Sequence, residues 1–200
     1  MKERNESLRY LVRLGNVKNL DPNCIPEVSS RFARIAEVHQ GSVANFRIGK
    51  FAIEFDLFVS ESKSETEIIR DIVRGDGPLL TERYLGGQMM EPQDKVEVVR
   101  LTTRLFNEQR YWECHETMEA IWKKEEDSSE KNVQNGIILA ASALVHAQKG
   151  EDDVCLNMVS RALEKLGRWE HNEYYELDVD SLKNYMKDIL ATHAIIYRKI

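Results

Sequence analysis

Leu8, Tyr10, Val12 and Leu14 occupy every second position of residues 7–14, the period of a half-buried strand. A turn cluster follows at 21–26, punctuated by Pro22 and Pro26. Pro26 can open a helix to His39, because the first helical position needs no amide donor. Val28, Phe32, Ile35 and Ala36 fall on its inner side, and Gly41 stops it. Residues 43–48 and 51–59 then predict a hairpin across Gly49-Lys50, where glycine at the first turn position suits a type II′ turn. In the second strand Phe51, Ile53, Phe55, Leu57 and Val59 alternate with Ala52, Glu54, Asp56 and Phe58, so one face is wholly apolar. Ser62 or Ser64 can cap a helix to Arg74 with Ile68, Ile69, Ile72 and Val73 on its apolar face. The turn Gly75-Asp76-Gly77-Pro78 leads into a last strand at 79–85.

The order βαββαβ predicts a ferredoxin-like plait, an architecture that hosts many unrelated functions. Gly86-Gly87-Gln88 is the expected linker, dividing a small α/β domain, 1–88, from a helical domain, 89–200. Beyond it strand alternation stops. Helices are expected at 92–108, 111–126, 130–149 and 152–166, the third capped by Ser128 or Ser129 and stopped by Gly150, the fourth stopped by Gly167. A last helix begins at Asp178 or Asp180 and runs to 197, with Leu182, Tyr185, Ile189, His193 and Ile196 along one side. The predicted class is therefore α+β: a plait followed by an all-α domain of about five helices, paired antiparallel through short loops.

Composition is that of a folded globule, with 42% apolar, 31% charged and 8% aromatic residues. A net charge of −6 argues against a general nucleic-acid binder, which needs a basic footprint. Cys24, Cys114 and Cys155 form no C-x-x-C pair and fit a reducing compartment. The charged residues 1–6 do not resemble an export signal, and the longest apolar run, 136–147, is too short to span a bilayer. The expectation is a cytoplasmic protein with no membrane association.

Candidate chemistry concentrates in 111–122, YWECHETMEAIW. Projected as a helix, Tyr111, Cys114, Met118, Ile121 and Trp122 share one face. His115 and Glu119 stand on its shoulder between Trp112 and Trp122, while Glu113, Glu116 and Thr117 turn toward solvent. A carboxylate between two indoles needs a partner, and His115, one turn away, is the nearest. The next helix is apolar over most of its circumference; its exceptions include a stripe of Asn135, Ser142 and His146. Antiparallel pairing would bring His146 toward His115 and Glu119. Two imidazoles and a carboxylate suffice for a divalent metal with an open position, with Glu116 as a catalytic base. The same group also fits a structural polar network that fixes how the helices meet, bracketed by Trp112 and Trp122.

Phe106-Asn107, Tyr111-Trp112, His115-Glu116, Glu119 and Trp122, followed by a long helix with Gln134 and His146, resemble the helical family of domains of unknown function numbered 309. Its pattern is an aromatic pair, then His-Glu-x-x-Glu-x-x-Trp, then a helix bearing Gln and a late His. The resemblance covers roughly residues 95–166; it implies the helical fold and no established activity. Two function classes stay open. One is an interaction or oligomerisation module whose helical pairs hold a partner's helix or extended segment, or a second copy. The other is a metal-assisted hydrolase using His115, Glu119 and His146 as ligands. Base stacking by Phe51, Phe55 and Tyr10 is the weakest reading, because the plait needs those rings for its core.

Overall fold

The computed structural model describes residues 8–60, 62–86, 94–196 and 198–200. The chain is α+β and divides into two compact units, 1–89 and 90–200. Among the described residues no helix is long and apolar enough to cross a membrane. The expected linker residues Gly87 and Gln88, and Pro92, lie outside the described residues.

In the first unit β1 (Leu8–Gly15), β2 (Ser42–Ile48), β3 (Ala52–Val59) and β4 (Leu79–Tyr84) form one sheet in the order β2-β3-β1-β4. Every neighbouring pair is antiparallel. Helices α1 (Ile25–Val38) and α2 (Ser62–Asp76) cover one face. Alternation explains the core: Tyr10, Val12 and Leu14 from β1 and Ile53, Phe55, Leu57 and Val59 from β3 meet Val28, Phe32, Ala36, Ile68, Ile69 and Ile72 from the helices. Phe32, Phe46 and Phe55 form a ring cluster with centroids 5.2–5.8 Å apart.

Two details depart from expectation. The hairpin turn sits on Lys50-Phe51, since Ile48 pairs with Ile53 and the Gly49 amide donates to Ala52 O at 2.9 Å. Placing Ile48 and Ile53 opposite each other buries both, and that gain sets the register. Phe51 is consequently left at the tip, 46% exposed, outside the core to which alternation assigns it. The stretch Arg74-Gly75-Asp76 is the end of α2, with Asp76 buried and held by Arg31 and by Lys18 at 3.0 Å.

The opposite face of the sheet is polar in sequence yet buried. Asp56 is 0% exposed and Arg47 and Glu54 are 2%. Asp56 Oδ2 accepts from Arg9 Nη2 and from Asn45 Nδ2, both at 2.6 Å. Glu54 lies 3.1 Å from Arg13 Nε and 3.3 Å from Arg47 Nε. A bulge between Ala44 and Arg47 supports this arrangement; Asn45 there takes φ 54°, a left-handed conformation that asparagine tolerates better than most residues.

The second unit contains α3 (Lys95–Asn107), α4 (Tyr111–Trp122), α5 (Ser128–Gln148), α6 (Asp152–Leu166) and α7 (Val179–Thr192). Each of α3–α6 packs on the next. α5 is central, buried on nearly all sides from Val133 to Gln148. Gly136 lets α5 and α6 pack closely: a Cβ there would stand 2.6 Å from Leu166 Cγ. Asp127, rather than either serine, caps α5, its Oδ1 accepting from Ser129 N at 2.9 Å and Glu130 N at 2.8 Å. Between α6 and α7 a short hairpin appears, β5 (Glu173–Tyr174) with β6 (Leu177–Asp178). α7 ends at Thr192, and His193 adopts φ 53° as its left-handed cap. It is exposed there, instead of lying within the apolar stripe of a longer helix.

Candidate functional site

The helical unit carries the motif residues on α4. Cys114 and Met118 are fully buried, whereas Trp112, His115, Glu116, Glu119 and Trp122 stand half-buried on its margins. His115 Nδ1 lies 3.4 Å from Glu116 Oε1, so its imidazole meets the adjacent carboxylate and not Glu119. Glu119 Oε2 is 3.1 Å from Lys123 Nζ, one turn further along. His146 pairs with Glu151. That contact stems from the end of α5: Gly150, at φ 75°, turns the chain so that the Glu151 amide donates to His146 O at 2.9 Å. The three side chains expected to converge thus have three different partners. Among the described residues no group of three or more His, Cys, Asp or Glu side chains is arranged to hold a metal ion.

Glu113, which the helical projection turns toward solvent, is buried. It is 4% exposed, and Arg110 grips both its oxygens, Nε to Oε1 at 2.7 Å and Nη2 to Oε2 at 2.8 Å. Trp112 and Trp122 both lie against the helical core, and Lys131 Nζ sits 5.9 Å from a ring centroid of Trp122.

A more deeply buried polar centre lies at the other end of α4. Gln134 is 0% exposed on α5, and its Nε2 donates to Glu125 Oε2 at 2.9 Å and to Tyr174 Oη at 2.7 Å. Tyr174 Oη donates in turn to Glu130 Oε2 at 2.8 Å. Lys95 Nζ bridges the two carboxylates, 2.7 Å from each. The centre ties α3, the loop before α5, α5 itself and the β5–β6 hairpin together. Burial opposes ionisation of Glu125, but the Lys95 ammonium, the Asp127 amide and Gln134 outweigh it and lower its pKa from 4.5 to about 2. Burial and Glu130 push the Tyr174 phenol up, so it stays a neutral donor.

The depressed value sets a pH dependence. Glu125 ionises more readily folded than unfolded, so its contribution is complete above about pH 4.5 and is lost as pH falls toward 2. Thermal melts monitored by circular dichroism should show a shallower acid loss in Glu125→Gln than in the unaltered chain. Identical slopes would contradict the assignment.

A third arrangement involves the segment after α7. Residues 194–196 and 198–200 belong to no helix or strand, yet they return onto the helical unit. Asn107, the last residue of α3, clasps the main chain of Ile200: its Nδ2 donates to Ile200 O at 3.1 Å and its Oδ1 accepts from Ile200 N at 2.9 Å. The Ile200 side chain packs against the helical core. Arg198 pairs with Asp188 of α7 at 2.5 Å and lies 6.0 Å from the Tyr185 ring centroid. Beside it a notch of about 260 Å³ is lined by Tyr185, Asp188, Ile189 and Ile196.

Sequence reasoning misses Lys95, Glu125, Glu130 and Tyr174, and finds Asn107 only as part of a motif. A glutamine inside a helix apolar on almost every side is the available signal for the first group, since a buried amide must find partners. Nothing in the spacing indicates that Asn107 would meet Ile200.

Fold and site together define an α+β chain whose helical unit combines a marginal His-Glu motif, a buried carboxylate–lysine–tyrosine centre and a clasp of Asn107 on the main chain of Ile200. The model of the domain of unknown function family DUF309 matches residues 99–158, in agreement with the resemblance carried by the His-Glu-x-x-Glu-x-x-Trp motif. The match spans the whole of α4 and α5, most of α3 and the first seven residues of α6, and includes Asn107, His115, Gln134 and His146. A comparison with curated proteins gives no match.

Proposed function

We propose that the helical unit is an interaction module whose α3–α7 face receives an extended peptide segment. The observation that carries this reading is the two-point clasp of Asn107 on the main chain of Ile200. A side-chain amide that both donates to and accepts from one residue's backbone recognises extended chain without regard to that residue's type. Apolar packing of Ile200 beside it supplies the affinity that hydrogen bonds alone would not. The buried centre around Gln134 serves as scaffold, fixing the helices that form this face.

The first unit is proposed to be a ferredoxin-like plait. The strand order β2-β3-β1-β4, with α1 and α2 on one face, supports that assignment. Free thiols support a place in the cytoplasm. Burial pushes the Cys155 thiol up to about 11 and raises Cys114 further, which suits packing rather than nucleophilic chemistry.

Asn107→Ala tests the clasp. The variant should release residues 194–200, so that limited trypsin digestion at Arg198 and Lys199 proceeds several-fold faster than in the unaltered chain, with the melting temperature little changed. Unchanged digestion would remove the reading.

A further inference from the structure

We infer that residues 194–196 and 198–200 are a displaceable occupant of the α3–α7 face, and that the partner replacing them is a peptide segment with a basic residue two positions before an aliphatic one. This rests on the interaction reading above and adds the chemistry of the ligand.

Three contacts define what the face selects. The Asn107 clasp is indifferent to side-chain type, because its two hydrogen bonds to Ile200 run to that residue's amide and carbonyl. Selectivity must therefore come from the flanking side chains. At the first position, Asp188 and the face of the Tyr185 ring together favour a cation: Arg198 meets the carboxylate at 2.5 Å and the ring at 6.0 Å. At the second, Ile200 enters the apolar cluster, where a charged side chain would lose its water without a partner. Residue 199 lies between the two and is exposed.

The same contacts explain why the resident segment can leave. Arg198 and Asp188 are 45% and 52% exposed, so their pair is a rim contact of small worth. Ile195 and Ile196 remain 43% and 65% exposed, and the notch beside Tyr185 stays open. His193, with φ 53°, ends α7 and turns the chain away from the helix axis, so departure of residues 194–200 need not disturb the helix. Covalent attachment to α7 adds to these contacts: a short connection gives an effective concentration of the order of millimolar, which a free peptide of equal intrinsic affinity would have to overcome.

The test uses full-length chains. Ile200→Asp should expel the resident segment and expose the face. A fluorescein-labelled peptide of residues 194–200, titrated by fluorescence polarisation, should then bind Ile200→Asp about tenfold or more tightly than the unaltered chain, the difference being the removed tethering. On the same receptor, the peptide carrying Ile200→Asp should not bind, and the peptide carrying Arg198→Glu should bind several-fold more weakly. Adding Asn107→Ala to the receptor should weaken all binding. Equal affinity for both receptors would overturn displacement by the resident segment. Equal affinity for all three peptides would overturn the basic–aliphatic preference while leaving the groove in place. No binding of any peptide to either receptor would remove the interaction reading itself. Circular dichroism checks that Ile200→Asp is folded; if it is not, the milder Ile200→Gly in the full chain serves as the opened receptor with the same expectations.

Discussion

Replacing Phe106 by alanine is expected to lower the stability of the helical unit by about 3–5 kcal/mol, the usual cost of removing a fully buried ring. Phe106 is 0% exposed near the end of α3. It meets Tyr111 edge-on at a centroid distance of 5.1 Å and Tyr185 of α7 at 6.4 Å. Its loss leaves a cavity where α3, α4 and α7 join, and surrounding helices held by other contacts cannot collapse fully into it. Neighbouring Asn107 and Tyr185 supply the clasp and the ring beneath Arg198, so the same substitution should also loosen residues 194–200. Denaturant titration monitored by circular dichroism measures the first effect, and tryptic release of the segment measures the second. A stability change below about 1 kcal/mol would mean that the ring does not fill the core as described.

Asp56→Ala should cost the first unit about 3 kcal/mol, because it removes a fully buried carboxylate on which the buried Arg47 and the half-buried Arg9 converge. Asp56 receives Arg9 and Asn45 at 2.6 Å, and Arg47 lies 3.7 Å from its other oxygen. Arg47, 2% exposed, would keep Glu54 alone of these two carboxylates. Asn45 would lose the hydrogen bond that holds its left-handed conformation at the bulge. Asp56→Asn retains the shape and one acceptor, so it should cost clearly less. If alanine and asparagine are equally tolerated in denaturant titrations, the network contributes little to folding.

The His-Glu motif shows where local reasoning stops. A helical projection identifies the buried face of α4 through Cys114 and Met118, and both are fully buried. It cannot choose among carboxylates for His115, since Glu116 and Glu119 are both within reach of one imidazole. The structure selects Glu116, while Glu119 turns along the helix to Lys123. Nor can a projection foresee that Arg110, just before the helix, buries Glu113 by gripping both its oxygens.

Local sequence determined most of the elements of this protein. Period-two alternation located β1 and β3, apolar spacing located α1 and α2, and Gly150 and Gly167 marked the ends of α5 and α6. These signals are legible because a strand or helix must turn one side inward whatever it packs against, and because a stop is a property of a few adjacent residues. Tertiary structure alone decided the rest: the Lys50-Phe51 turn, the charged face buried around Asp56, the Gln134 centre and the meeting of Asn107 with Ile200. Each depends on residues distant in sequence whose approach is set by packing of whole elements. A polar group's demand for a partner is local, but the partner's identity is not.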